Sequence, residues 1–401
     1  MSDADKRPPA RNPLLPLRAP KPLPAARSRA ALGLAAAAAE GKFRLQICDE
    51  CGGTQYPPRD VCGQCLGGAL RWREVEPTGV LIATTATRIS SELYFRERPP
   101  WLTGLVRLKA GPSVVAHLHP ECTVGGPVRL DLKLDPAGRG AVYAMPEGGA
   151  AKPDEAAARA FGADPRHRNA LIVDGRASTA PALARAFREA GAGRVFVGLS
   201  ERWRPAPQVE KGEGVEIVAL DVSDPKSVDE LADLMGEKVH ILVNNCDHFR
   251  NEPNEARAAF EIHALGALRL AAAFGPIMRA RAGEAGRGSA AYVHIVSALA
   301  LSGSRDHGAY AAAQAALRSI SQTLRAESRA SGLRVVDALV GPIDDEWWQS
   351  LRPPKVAPAA LANALIAALK QGREEVVVGD IAREIHAKWA EDPSLYRQEQ
   401  P

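Results

Sequence analysis

The sequence predicts a multidomain chain: a metal ribbon, a small antiparallel β-barrel, then an α/β domain built on a doubly wound parallel sheet. Three observations predict this. Four cysteines pair as Cys48-x-x-Cys51 and Cys62-x-x-Cys65. Short apolar runs broken by Gly and Pro fill residues 72–145, and beyond residue 168 seven strand-like runs alternate with helix-like ones. A length of 401 residues suits several cores, since a single core stops growing at roughly 250–300 residues. An apolar share of 46% and a net charge of +4 exclude an acidic disordered chain.

Residues 1–25 hold seven prolines among scattered Arg and Lys and show no apolar period, so a flexible arm is expected. Residues 26–40 are rich in Ala, Leu and Arg and suit a helix, giving a helix-plus-ribbon unit over 26–71. The apolar run at 30–39 falls short of the ~20 residues needed to span a bilayer. With no secretory signal and its cysteines clustered, the chain is expected to be soluble and cytoplasmic, with no membrane partner.

Ten residues separate the two cysteine knuckles, and Gly52, Gly53, Gly63, Gly67 and Gly68 relieve their sharp turns. Cys48, Cys51, Cys62 and Cys65 would fill a tetrahedral ion completely, which makes the metal structural. Zinc is the expected ion; iron in a rubredoxin-like arrangement is the alternative that soft thiolates also suit. Cys122 and Cys246 lack such neighbours and read as core or incidental positions. Asp247 and His248 beside Cys246 do not make it a nucleophile, because adjacency in sequence does not align a base.

Runs at 79–87, 102–108, 113–119 and 127–134 predict the barrel over 72–145. Trp72, Tyr94, Phe95 and Trp101, with Arg88, Arg96, Arg98 and Arg107, raise single-stranded nucleic-acid binding as a low alternative. The 51 basic and 47 acidic residues give no large nonspecific field, so nucleic acid is not expected. Residues 146–167 read as a linker with a short helix near 155–160.

The α/β domain is expected over 168–380, with strands beginning near Asn169, Arg194, Val215, Val239, Ala291, Leu333 and Glu375. A helix is expected over 181–190. Residues 381–401 carry Trp389 and Tyr396 among charges and read as a tail, a helix followed by a fraying end.

Two resemblances then emerge. Gly41-Lys-Phe-Arg-Leu-Gln-Ile-Cys-Asp-Glu-Cys-Gly, Gln55-Tyr-Pro-Pro-Arg, Cys62-Gly-Gln-Cys and Gly79-Val resemble the zinc-ribbon and OB-fold acyl-CoA-associated proteins, over about residues 26–145. That resemblance implies an OB-fold barrel and a thiolase-fold partner that condenses or cleaves carbon-carbon bonds. It also implies a CoA thioester held or passed, with Arg88, Arg96 and Arg98 available to its phosphates.

Asp221-Val-Ser, Leu242-Val-Asn-Asn, Ser297 thirteen residues before Tyr310, and Val340-Gly-Pro-Ile-Asp are similar to the short-chain dehydrogenase/reductase family. The resemblance implies a Rossmann-like nucleotide site near Gly175, Asp221 and Asn244, and catalysis by Ser297 and Tyr310. Three departures stand against that chemistry. The glycine-rich phosphate turn reads Asp174-Gly175-Arg176-Ala-Ser-Thr179-Ala-Pro181, with bulk at both later glycine positions. Gln314 stands where the family has lysine, so Tyr310 lacks the cation that would make it a base near neutral pH. His263 replaces the helix asparagine, either as a substitute base or as a filler of a vacated polar site.

Together they predict a domain kept for assembly. The leading expectation is a non-catalytic, zinc-stabilised acyl-CoA-handling subunit of a thiolase-fold complex, with NAD(P) doubtful. An oligomer is expected through the helix near 309–325, where Ala312, Ala316 and Ile320 could pack closely. The alternative is an NAD(P)-dependent reductase of a β-keto or β-hydroxyacyl-CoA.

Overall fold

A computed structural model describes residues 29–89, 100–135, 137–148, 161–200, 209, 214–246, 253–282, 290–329 and 331–399. The expected arm at 1–25, the short helix at 155–160, and Tyr94, Phe95, Arg96, Arg98, Asp247 and His248 lie outside the described residues.

Helix α1 (Leu32–Glu40) precedes a three-stranded antiparallel sheet in the order β2 (Thr54–Gln55), β1 (Arg44–Cys48), β3 (Leu70–Glu74). The last of these strands pairs with the ribbon, and the closed barrel follows it. The barrel is closed by β4 (Thr78–Thr87), β5 (Trp101–Leu108), β6 (Ser113–Leu118), β8 (Gly140–Pro146) and β7 (Pro127–Leu134). Alternation along β7 sends Val128, Leu130, Leu132 and Leu134 inward, as a half-buried strand requires. Helix α1 is part of the same core, since its buried Leu34, Ala37 and Ala38 pack with Leu81, Val106 and Leu130. Close approach is built in at Gly33, where a Cβ would fall 2.1 Å from the Trp72 ring. Trp72 is therefore committed to packing, not offered as a platform for bases.

The α/β domain is a seven-stranded parallel sheet in the order β11-β10-β9-β12-β13-β14-β15. Its strands are β9 (Asn169–Ile172), β10 (Arg194–Leu199), β11 (Val215–Ala219), β12 (Ile241–Asn244), β13 (Ala291–Ser297), β14 (Arg334–Val340) and β15 (Glu375–Val378). Cores lie on both faces, as a parallel sheet requires. One face packs α2 (Ala180–Glu189) and α7 (Pro358–Gln371); the other packs α3 (Pro225–Met235), α5 (Ala267–Ala282) and α6 (Gly308–Ser328). Residues 256–282 are long and apolar enough to cross a bilayer, yet Leu270, Phe274 and Met278 are fully buried in the core.

At the end of the linker, Phe161 and Ala163 are buried and the Ala163 N–H donates to Leu369 O at 2.7 Å. In the segment expected to end loosely, α8 (Asp380–Glu391) is followed by α9 (Pro393–Glu399), where Tyr396 is buried. Trp389 lies under the Arg318 guanidinium at 5.0 Å.

Among the described residues, the barrel and the sheet meet at the amino end of β14. Arg334, the first residue of β14, is buried and donates through Nη2 to Leu134 O at 3.1 Å and Phe161 O at 3.2 Å. Its Nη1 lies 3.6 Å from Glu374, which also lies 3.5 Å from Arg325. Arg325 in turn pairs with Asp337 at 2.9 Å, and the Ser321 hydroxyl donates to the same carboxylate. Gly372 is required at this seam, since a Cβ there would meet Phe161 O at 1.7 Å.

A polar row crosses the middle of the sheet: Asn244, His294 and Asp337 are register neighbours on β12, β13 and β14. His294 is fully buried, and Asn244 Nδ2 lies 3.3 Å from its Nδ1. Burial pushes the His294 imidazole down to about 4; Arg325 adds to the fall and Asp337 opposes it. The folded value is below the unfolded one of about 6.5, so the unfolded state takes the proton more readily. Stability from this group is complete above about pH 6.5 and is lost as pH falls towards 4, on the order of 3 kcal/mol. Urea unfolding followed between pH 7 and pH 4 should show this slope in the parent chain and a shallower one in His294→Gln.

Candidate functional site

The ribbon brings Cys48, Cys51, Cys62 and Cys65 together, with their sulfur atoms all within 4.8 Å of one another. The closest pairs, Cys48 with Cys65 and Cys51 with Cys62, are 3.6 Å apart. Zinc–sulfur bonds of ~2.3 Å in a tetrahedron give sulfur–sulfur edges of about 3.8 Å, so this donor set fits a closed structural site. Each knuckle is wound by a backbone turn: the Gly52 N–H donates to Cys48 O at 2.8 Å and the Leu66 N–H to Cys62 O at 3.0 Å.

Two glutamines that the sequence reading passed over fix the knuckles. Buried Gln46 accepts the Arg59 N–H at 2.9 Å and donates to Arg59 O at 2.9 Å, while Gln55 Nε2 donates to Gln46 Oε1 at 3.0 Å. Gln55 Oε1 then accepts the Gly63 N–H at 2.9 Å, tying one knuckle to the other. Their only signal was their place in the quoted phrases, Gln46 in the one that opens at Gly41 and Gln55 in Gln55-Tyr-Pro-Pro-Arg.

The second candidate site lies at the carboxyl ends of the parallel strands, where open α/β sheets bind ligands. Here the chain brings together Thr179, Asn245, Cys246, Ser297, Tyr310, Gln314 and Trp348 around a cavity of only ≈ 20 Å³. Buried Gln314 accepts the Ser297 N–H through Oε1 at 2.9 Å. The Ser297 hydroxyl accepts the Leu299 N–H at 3.3 Å and so caps the next turn. Gln314 thus stands at the lysine position as a neutral brace. The Tyr310 ring meets His263 edge-on at 5.5 Å and Trp348 at 6.4 Å, with His307 on Trp348 at 5.4 Å. His263 is buried in a π-helical turn, Glu261–Gly266, where Gly266 lets the turn come against Val222.

The turn after β9 is locked by the chain's own groups. Asn245 accepts the Asp174 N–H at 2.9 Å and donates to Asp174 O at 2.8 Å. The Asp174 carboxylate accepts the Arg176 N–H at 2.9 Å, and the Ser178 hydroxyl donates to Asp345 at 2.9 Å. Thr179, with its side chain, is buried at the start of α2, and Pro181 sits in that helix's first turn. Gly175 survives for packing: a Cβ there would lie 2.7 Å from Val197 Cγ1, and its N–H donates to Gly198 O at 2.8 Å.

A nicotinamide dinucleotide needs open backbone, a helix N-terminus free of anions and room beside the tyrosine. Here the Asp174 and Asp345 carboxylates lie at that turn and the Trp348 indole lies beside the tyrosine. Of the other expected contacts, Asp221 Oδ1 accepts from the Ser223 hydroxyl at 2.6 Å and N–H at 2.9 Å, and the residue lines an outer cleft. Asn244 braces His294 inside the sheet and lines neither cavity. An outer cleft of ≈ 350 Å³ remains beside Asp174, Arg176, Asp221 and Trp347.

Comparison with known proteins covers all three domains. The family model described as enoyl-(acyl carrier protein) reductase matches residues 175–381, more than half of the chain. The models described as ChsH2, rubredoxin-like zinc ribbon domain and ChsH2, C-terminal OB-fold domain match residues 35–71 and 72–133. The 1-deoxy-11-beta-hydroxypentalenate dehydrogenase of Streptomyces exfoliatus is 30% identical over 203 residues, 47% of this chain and 72% of that protein. A short chain dehydrogenase from Burkholderia cenocepacia in complex with NADP is 26% identical, with TM-score 0.52 over 57% of this chain and 95% of that one. A Burkholderia phymatum short chain dehydrogenase/reductase in complex with NAD, 19% identical and with TM-score 0.51, shows the same fold over 58% of this chain and 96% of that one.

Replacing Cys62 by serine should abolish stoichiometric zinc binding and unfold the ribbon, with the α/β domain still folded. Metal content per chain, read beside limited proteolysis, checks both halves of that outcome.

Proposed function

The chain belongs to the short-chain dehydrogenase/reductase family and carries a zinc-ribbon and OB-fold module at its N-terminal side; we propose that it is a non-catalytic acyl-CoA-handling subunit of a thiolase-fold complex. The observation that carries this reading is the filled pocket at Tyr310, where Trp348 and Gln314 leave ≈ 20 Å³. The narrowness of that space favours a role without nicotinamide, and Gln314 stands where a lysine would lower the proton affinity of the tyrosine.

The placement of the barrel supports the same reading. It docks at the amino end of β14, whereas Tyr310, Ser297 and Gly341 gather at the carboxyl end. Seven residues of strand, about 20 Å, separate the two ends. A thioester held by the barrel is thus turned away from the cleft of its own chain. It would meet a partner that supplies its own nucleophile. Exposed Val80, Ile82, Leu105 and Val115 on the outer barrel wall offer that partner an apolar face. The α/β domain would supply assembly through Phe260, Leu265 and Leu268 beside the small residues of α6, in a cytoplasmic complex.

The relatives favour a second reading, a working NAD(P)-linked reductase of a β-keto or β-hydroxyacyl thioester. Its support is the dehydrogenase similarity and the outer cleft of ≈ 350 Å³. One assay separates the two. Purified zinc-loaded chain mixed with NADH or NADPH and a β-ketoacyl-CoA should show no turnover above buffer. Turnover that disappears in Tyr310→Phe would establish the reductase and end the accessory reading.

A further inference from the structure

The geometry points to residues 343–356 as a built-in plug that stands in for a dinucleotide: Trp348 takes the place beside Tyr310 and Asp345 supplies the anion at the turn after β9. The segment is closed on itself at its base. Ile343 bridges Val356, the Asp344 N–H donates to Val356 O at 2.8 Å, and the Val356 N–H donates to Pro342 O at 2.8 Å. Room for this base comes from Gly379, whose absent Cβ would fall 2.4 Å from Val356 Cγ2. At the tip, Asp345 Oδ1 accepts the N–H groups of Trp347 at 3.1 Å and Trp348 at 3.2 Å. The other oxygen accepts from Ser178 at 2.9 Å.

One carboxylate therefore does two things: it winds the turn that presents Trp348, and it latches that turn to the start of α2. Trp348 is 8% exposed, boxed by His307 and Tyr310, whereas its neighbour Trp347 is 40% exposed and lines the outer cleft with Glu346. A pyrophosphate arriving at this turn meets Asp345 and Asp174, both of its own sign. The plug divides the crevice into a closed inner half and an open outer half. Only the inner half needs the plug removed.

This inference rests on the reading of the cleft as unable to hold the dinucleotide, and the two fail separately. Turnover by the parent chain overturns that reading; unchanged affinity in an opened cleft overturns the plug. The full zinc-loaded chain, Trp348→Gly and Asp345→Ser are each titrated calorimetrically with NADH and with ADP-ribose, which lacks the nicotinamide. Trp348→Gly should bind NADH at least about tenfold more tightly than the parent and should prefer it to ADP-ribose. Asp345→Ser removes the latch without emptying the core, and should gain affinity for both ligands. It keeps the test decisive if the tryptophan variant does not fold. Folded variants, shown by a cooperative thermal transition, that bind NADH no better than the parent would overturn the proposal.

Discussion

A single buried guanidinium sets the layout of this molecule. Arg334 begins β14, reaches across the joint to the backbone of Leu134 and Phe161, and is balanced by Glu374. A buried cation that lost these partners would be costly, so the barrel is held against the amino end of the sheet. A parallel sheet has two unlike ends, and only the carboxyl end forms the crevice where ligands bind. Pinning the barrel to the other end sets it away from that crevice. Glu374 and Arg325 carry the same network to the far turn of α6, the helix whose first turn holds Tyr310. The joint and the pocket thus share one rigid element.

At the carboxyl end the proposal has the chain's own groups stand where a cofactor would. Asp174 and Asp345 bring charge to the turn after β9, Trp348 meets Tyr310 edge-on, and the neutral Gln314 stands at the lysine position. Each group has partners, so the arrangement is satisfied and not a damaged remnant. Buried polar groups left unpaired cost stability, so the internal bonds at this turn stabilise the arrangement. The ribbon follows the same logic from the other direction. There four cysteine sulfurs are grouped as one ion's ligands, and the Gln46 and Gln55 amides hold the turns in place.

What the sequence revealed was what is local. Cysteine spacing located the ribbon ligands because a tetrahedral site imposes it over some twenty residues. The buried strands of the parallel sheet were visible as apolar runs, since both of its faces are covered. Gln314 and Thr179 were legible as departures from a motif. The plug was not, because the Ser178 to Asp345 contact joins positions 167 residues apart and Asp345 sits in an unremarkable loop. Arg334 was equally hidden: its bond to Leu134 spans 200 residues, and one arginine at a strand start carries no pattern. Tyr396 was misread as part of a fraying end because its burial depends on tertiary contacts that no periodicity records.

The central claim is that a thioester and the reductase-type cleft of the same chain do not meet. Photo-crosslinking with an acyl-CoA carrying a diazirine in its acyl chain, followed by peptide mapping, tests it directly. The account predicts label in the barrel and ribbon peptides between residues 44 and 134. Label on the peptides that carry Ser297 and Tyr310 would contradict it.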